Sequence, residues 1–141
     1  MDENQSMAPP ATTAERCVLI VEDSENSAAT IEMALLGVPG VSLVLVRSAR
    51  EALRVLDGPE ASVHAVITDL NMPYMDGFEL IRRIRADRRN RALPVIVVSA
   101  DTHPETPERV AQLQVAAFFT KPFSPAAVRR KVEQLLNVTT P

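Results

Sequence analysis

Cysteine is almost missing from this chain. Cys17 is the only one in 141 residues, so no internal disulfide can form. A reducing cytoplasm is therefore the expected location, and Cys17 is expected to be a small core residue rather than a reactive thiol. Aromatics are scarce too, at 4% with no Trp. No apolar run approaches the roughly 20 residues of a membrane-spanning helix. The N-terminus lacks the basic-then-apolar order of a signal peptide. A charge excess is also absent from the body of the chain. The net charge of -3 resides in residues 1–15, which hold Asp2, Glu3 and Glu15 and no Lys or Arg. A neutral body exerts no general pull on nucleic acid. The one basic cluster, Arg82, Arg83, Arg85, Arg88, Arg89 and Arg91, has no interleaved aromatics for stacking on bases and reads as a solvated helix end and loop.

What is present is the composition of one ordinary globular domain, 46% apolar and 23% charged. Residues 1–15, with Pro9, Pro10 and no apolar periodicity, are expected to be a disordered lead-in. The folded domain is expected over 16–137 and a short tail over 138–141. Five short apolar runs follow the lead-in: Cys17–Val21, Leu43–Val46, Ala65–Thr68, Val95–Ser99 and Ala116–Thr120. The first is continuous, the mark of a strand buried on both faces. Helical spacing fills the gaps. Ala28, Ile31 and Leu35 share a face, and Gly37 with Pro39 supplies a stop. Ser48 and Glu51 form a capping-box pair ahead of Ala49, Ala52, Leu53 and Leu56, and Gly58-Pro59 ends that helix. Phe78, Ile81 and Ile84 mark a third helix, and Val110 and Leu113 a fourth with Thr106-Pro107 as a candidate start. Ser124-Pro125 opens a fifth over Val128, Val132, Leu135 and Leu136. Five β/α repeats require an α/β fold with a doubly wound, mostly parallel sheet and right-handed crossovers.

In such sheets ligands bind beyond the carboxyl ends of the strands. Glu22 and Asp23 follow the first run, Asp69 the third, Ser99 ends the fourth and Lys121 follows the fifth. Singly, each has a bland reading as a helix cap or a snorkelling side chain. Together, three carboxylates repel, and an oxygen-seeking cation such as Mg²⁺ is their natural neutraliser. Mg²⁺ uses one or two protein carboxylates, which leaves a third free to attack phosphorus. Asp69 is the expected nucleophile, with Lys121 and Ser99 binding the phosphoryl oxygens.

These residues lie in motifs that resemble the receiver domain of bacterial two-component response regulators. They are Leu19-Ile20-Val21-Glu22-Asp23, Asp69-Leu70-Asn71-Met72-Pro73 with Met75-Asp76-Gly77, Ser99-Ala100, and Lys121-Pro122-Phe123, spread over Arg16 to Leu136. The resemblance implies a flavodoxin-like fold with strand order 2-1-3-4-5 and phosphorylation of Asp69. It implies Mg²⁺, with Mn²⁺ able to substitute, on Glu22, Asp23, Asp69 and the Asn71 backbone carbonyl. It also implies a turn at Gly77, a cis Lys121-Pro122 bond, and a switch through Ser99 and Phe118 to a surface of the fourth helix, fifth strand and fifth helix. The implied partners are a sensor histidine kinase or phosphotransfer protein and a downstream target. Neither nucleic acid nor membrane is expected as a partner, and the implied state is a cytoplasmic monomer or weak dimer. The implied role is a signalling switch that catalyses its own phosphorylation and dephosphorylation, not an enzyme.

Two departures stand out. No Gly precedes the fifth strand, where Gln114-Val115-Ala116-Ala117 stands, and Pro104 and Pro107 leave the start of the fourth helix open. His103 reads as an exposed loop residue and His64 as structural. A phosphatase of the haloacid dehalogenase type would need an acid at position 71, where Asn cannot transfer protons. A receiver degenerate to a binding module would have lost Asp69, Lys121 or one acid of the pair, and none is lost. The chain ends five residues beyond Leu136. This fits a stand-alone receiver or one excised from a longer protein, with Met1 and the two tails favouring the former.

Overall fold

The computed structural model describes residues 15–59 and 62–138. In chain order the elements are β1 (Arg16–Val21), α1 (Glu25–Leu35), β2 (Val41–Val46), α2 (Ala49–Asp57), β3 (Ala65–Thr68), α3 (Gly77–Ala86), β4 (Val95–Ser99), α4 (Thr106–Gln112), β5 (Ala117–Thr120) and α5 (Pro125–Leu136), with a 3-10 turn at Arg88–Asn90. The strands form one sheet in the order 2-1-3-4-5, every neighbouring pair parallel. The lead-in expected over 1–15 lies outside the described residues except for Glu15, which is exposed, and so do residues 139–141 of the expected tail. Among the described residues no helix is long and apolar enough to cross a membrane.

The sheet is covered on both faces because its strands are apolar on both. Leu19 and Val21 of β1 face Ala52, Leu56, Leu80, Ile81, Ile84 and Val110 of α2, α3 and α4. Val18 and Ile20 face Ile31, Leu35, Val128, Val132 and Leu136 of α1 and α5. Each such side chain stabilises the fold by about 1.5–3 kcal/mol through its burial. β2 is an edge strand and is mostly half-buried. It also begins at Val41, two residues ahead of the apolar run, since Val41 and Ser42 already pair with Arg16 and Cys17.

Local chemistry sets the helix starts. The side chains of Ser24, Ser48, Asp76 and Ser124 accept from the N–H groups of Ser27, Glu51, Glu79 and Ala127. Glu51 also accepts from the Arg47 N–H at 3.0 Å, closing the box one residue upstream of the cap itself. His64 is structural: its Nδ1 accepts from the Cys17 N–H at 3.0 Å where the β1–β3 ladder begins. Cys17 is partly buried, and burial raises its thiol pKa.

The basic cluster departs from a simple solvated face. Arg82 and Arg83 do pair with Glu79 at the surface. Arg85, however, is half-buried and donates to four backbone carbonyls, those of Arg91, Leu93, Leu113 and Gln114. It pins the end of α4 to the end of α3. Gln114 stands in the left-handed region at φ 59, so the missing glycine left its conformation behind, and Arg85 holds the chain there.

Candidate functional site

The strand order puts β1 and β3 side by side while α1 and α3 leave in different directions, so a crevice opens beyond their carboxyl ends. Glu22 and Asp23 follow β1 and Asp69 follows β3. The three offer carboxylate oxygens that all lie within 4.8 Å of one another. Glu22 is fully buried, Asp69 is 7% exposed and Asp23 is open to solvent, so the cluster has a floor and a mouth.

Lys121 closes the group from β5. Its Nζ donates to Glu22 Oε1 at 2.9 Å and to Asp69 Oδ2 at 3.0 Å. The backbone holds the other oxygen of each acid. Asp69 Oδ1 accepts from the N–H groups of Leu70 at 2.6 Å and Asn71 at 3.3 Å, and Glu22 Oε2 accepts from the Ser24 N–H at 3.1 Å. The Lys121–Pro122 peptide bond is cis.

Three carboxylates and one ammonium leave a formal charge near -2. Burial pushes the Glu22 carboxyl above its ordinary pKa, and the Asp69 charge adds to this. The hydrogen bonds from Lys121 and Ser24 oppose both. Burial draws the Lys121 ammonium down, but its bonds to Glu22 and Asp69 outweigh that and leave its pKa raised. A hard divalent cation would supply the missing charge, and an all-oxygen donor set suits one.

Gly77 bears on the site in a different way from the expected one. It opens α3 and donates its N–H to Leu70 O at 2.8 Å. A Cβ built there would collide with the Asp69 carbonyl oxygen and come within 2.8 Å of the Leu70 Cα. Close approach to the Asp69 backbone, rather than freedom to turn, is what excludes a side chain.

Ser99 ends β4 fully buried, and its Oγ accepts from the Asp101 N–H at 3.2 Å. Phe118 is half-buried on β5 beside Val97 and packs into the core on the α2–α4 side, with Val110 and Leu113. Asn71 is exposed next to Asp69. Sequence reasoning missed Asp101. Its Oδ1 accepts from the His103 N–H at 2.7 Å and from the hydroxyl of Thr106, itself buried at the start of α4, at 2.9 Å. These bonds, with a side-chain contact to Asn71, lower its pKa. The signal was the spacing Asp101-x-His103, that of an Asx turn. Glu105 precedes α4 without capping it, so Asp101 anchors the proline-rich approach. His103 is exposed.

Residues 18–133 match the family described as the response regulator receiver domain. The chain is similar to chemotaxis protein CheY1 of Helicobacter pylori, 29% identical over 85% of this chain and 96% of that one. Its structure is similar to that of a response regulator receiver protein from Pseudomonas putida, with a TM-score of 0.77, 34% identity and coverage of 86% and 98% of the two chains. It is also similar to the phosphorylated cyanobacterial phytochrome response regulator RcpA, with a TM-score of 0.79, 26% identity and coverage of 91% and 99%. The family match spans most of the chain and the fold is shared with these neighbours, and the chain belongs to the response regulator receiver domain family.

Proposed function

We propose that the chain is a phosphorylation switch in which Asp69 accepts a phosphoryl group from the phosphohistidine of a sensor histidine kinase or phosphotransfer protein. The observation that carries this reading is the cluster of Glu22, Asp23 and Asp69 with Lys121 Nζ 3.0 Å from Asp69 Oδ2. An Asp69 oxygen forms the new P–O bond as the donor's P–N bond breaks, and the freed imidazole takes its proton from solvent. The backbone N–H groups of Leu70 and Asn71 hold the carboxylate still, and Lys121 faces the developing phosphoryl charge. The domain supplies these groups to its own phosphorylation and, with water as nucleophile, to its dephosphorylation.

Mg²⁺, with Mn²⁺ as a substitute, fits the donor set of Glu22, Asp23, Asp69 and the Asn71 carbonyl. The three acids offer oxygens within 4.8 Å of one another, and an all-oxygen donor set of this kind suits a hard divalent cation. Bound there, it would neutralise the charge of the acids and of the incoming phosphoryl oxygens.

Output follows from Ser99. Rotating the Ser99 side chain toward a phosphoryl oxygen lets its O–H donate a charge-assisted hydrogen bond, about twice as strong as the neutral one its Oγ accepts from the Asp101 N–H. Asp101 loses its hold on Ser99 Oγ, and through Thr106 the start of α4 shifts. Phe118, which packs with Val110 and Leu113, carries the change to the face of α4, β5 and α5, where a downstream target docks. The setting is the cytoplasm, and the state a monomer or weak dimer.

The test is incubation with acetyl phosphate and Mg²⁺. One acid-stable, base-labile phosphoryl group should appear, and it should vanish with Asp69→Asn or with chelator. Stoichiometric labelling of Asp69→Asn would sink the assignment. For the output route, beryllofluoride should move the NMR shifts of Val110, Leu113 and Phe118 in the native chain but not in Ser99→Ala.

A further inference from the structure

Beside the phosphoacceptor loop lies a surface that the switch does not use. Arg50 and Arg54 stand one turn apart on α2, both exposed, with Arg47 just ahead of the helix. Like charges at this spacing repel. Among the described residues neither Arg50 nor Arg54 has an ion-pair partner; Glu51 is engaged with the Arg47 N–H, and Arg47 alone reaches an acid, Glu25 at 3.7 Å. Across from them the β3–α3 loop presents Tyr74, fully exposed at 103% and held in the left-handed region at φ 73. A bulky aromatic is costly in that conformation, and with its ring in water Tyr74 contributes nothing to the core. Between the two elements is a cavity of about 310 Å³ walled by Ser48, Ala49, Arg50, Pro73, Tyr74 and Met75.

The repulsion and the strain thus meet in one place, and neither is offset inside the fold. We infer that this surface docks a carboxylate-rich segment of another protein, with one apolar side chain of that segment seated between Pro73 and Met75. Charge complementarity selects the partner: Arg50 lines the cavity, Arg54 stands one turn farther along α2, and neither has an ion-pair partner among the described residues; Arg and Tyr are the residues that most often anchor protein interfaces. A nucleic acid fits less well. A continuous phosphate backbone on this rim runs toward the Glu22, Asp23 and Asp69 cluster at the same end of the sheet, which a short peptide avoids. The inference does not depend on phosphorylation, because Arg50, Arg54 and Tyr74 take no part in the acid cluster or its hydrogen bonds.

The experiment is an NMR titration of the full ¹⁵N-labelled chain with a synthetic peptide of Glu residues around a central Leu, run beside its Lys counterpart and an oligothymidine strand. The Glu peptide should shift the amides of Ser48–Arg54 and Tyr74–Asp76. Tyr74→Ala and the double variant Arg50→Glu with Arg54→Glu should each weaken it by about tenfold or more, and the double variant should gain affinity for the Lys peptide. Arg50→Gln, a milder change, should weaken binding less and in the same direction. All variants should label with acetyl phosphate like the native chain, so a failure of docking is distinguishable from a failure of the phosphoacceptor assignment. Shifts that map elsewhere, affinities unchanged by these substitutions, or preferential binding of oligothymidine at these residues would each overturn the inference.

Discussion

Gly77→Ala is the smallest change that should injure both the fold and the site, and its size follows from the structure. The added methyl would overlap the Asp69 carbonyl oxygen and lie within 2.8 Å of the Leu70 Cα and 3.1 Å of the Asp69 carbonyl carbon. All three obstacles are backbone, so no rotamer change relieves them. Overpacking of this kind costs about 1–3 kcal/mol. Alanine recovers up to about 1 kcal/mol in a helix interior but less at the first helical position, so a net loss of about 1–2 kcal/mol is expected. For a domain of this size Tm falls by about 3–8 °C. Relief requires α3 and the Asp69 backbone to part by roughly 1 Å, and a misplacement of that order can cost on the order of a hundredfold in rate. Thermal unfolding and acetyl phosphate labelling below the transition separate the two effects. Gly37→Ala is the control: it sits at φ +87 with nothing within 4 Å, so it should lower Tm through backbone strain and leave the labelling rate alone. Native stability and native labelling in Gly77→Ala would refute the reasoning.

Glu22→Gln should stabilise the metal-free protein and weaken Mg²⁺ binding by about tenfold or more. The sign follows from the raised carboxyl: a folded pKa above the unfolded one makes the charge destabilising at neutral pH, and that loss shrinks as pH falls through the folded value. Denaturant melts with and without EDTA would check it. Asp101 has the opposite sign. Its lowered pKa contributes stability that is present above about pH 4 and lost as pH falls through the folded value. The stability difference between the native chain and Asp101→Ala should therefore narrow on acidification, and a constant difference across that range would count against the hydrogen bonds to His103 and Thr106. Gln114→Gly should relieve left-handed strain of about 1 kcal/mol, partly offset by a looser unfolded chain. A modest rise in Tm is expected, and a fall would show that the Gln114 side chain matters more than its φ.

The strands were legible where burial on both faces leaves no polar residue to confuse the pattern, as in Val18–Val21 and Val95–Val98. β2 was cut short because an edge strand tolerates Ser42 at its start. The starts of α2 and α5 were legible because each depends on a side chain within three residues, Ser48 and Ser124. α4 begins at Thr106, the candidate start, although nothing caps it locally. Its anchor is the Asp101 carboxylate, five residues ahead of Thr106, and no cap motif spans that distance.

The site was legible for a related reason: its groups stand next to strand ends in the sequence, and the parallel topology alone brings those ends together. Where long-range contacts act, the residues give no such sign. In the sequence Arg85 is one of six arginines at a helix end, yet its guanidinium joins the end of α3 to Leu113 and Gln114, 28 and 29 residues on. That contact explains how a chain without glycine before β5 can still turn there. The carbonyl bonds hold a strained backbone that glycine would adopt freely, and the α4–β5 junction is fixed from α3. Phe118 lies four residues past Gln114, so the surface proposed to carry the signal is framed at one end by Asp101 and at the other by Arg85. A shift begun at Ser99 is therefore expected to pivot α4 about its C-terminal end, where Arg85 holds the Leu113 and Gln114 carbonyls while its bonds to Arg91 and Leu93 fix the guanidinium itself.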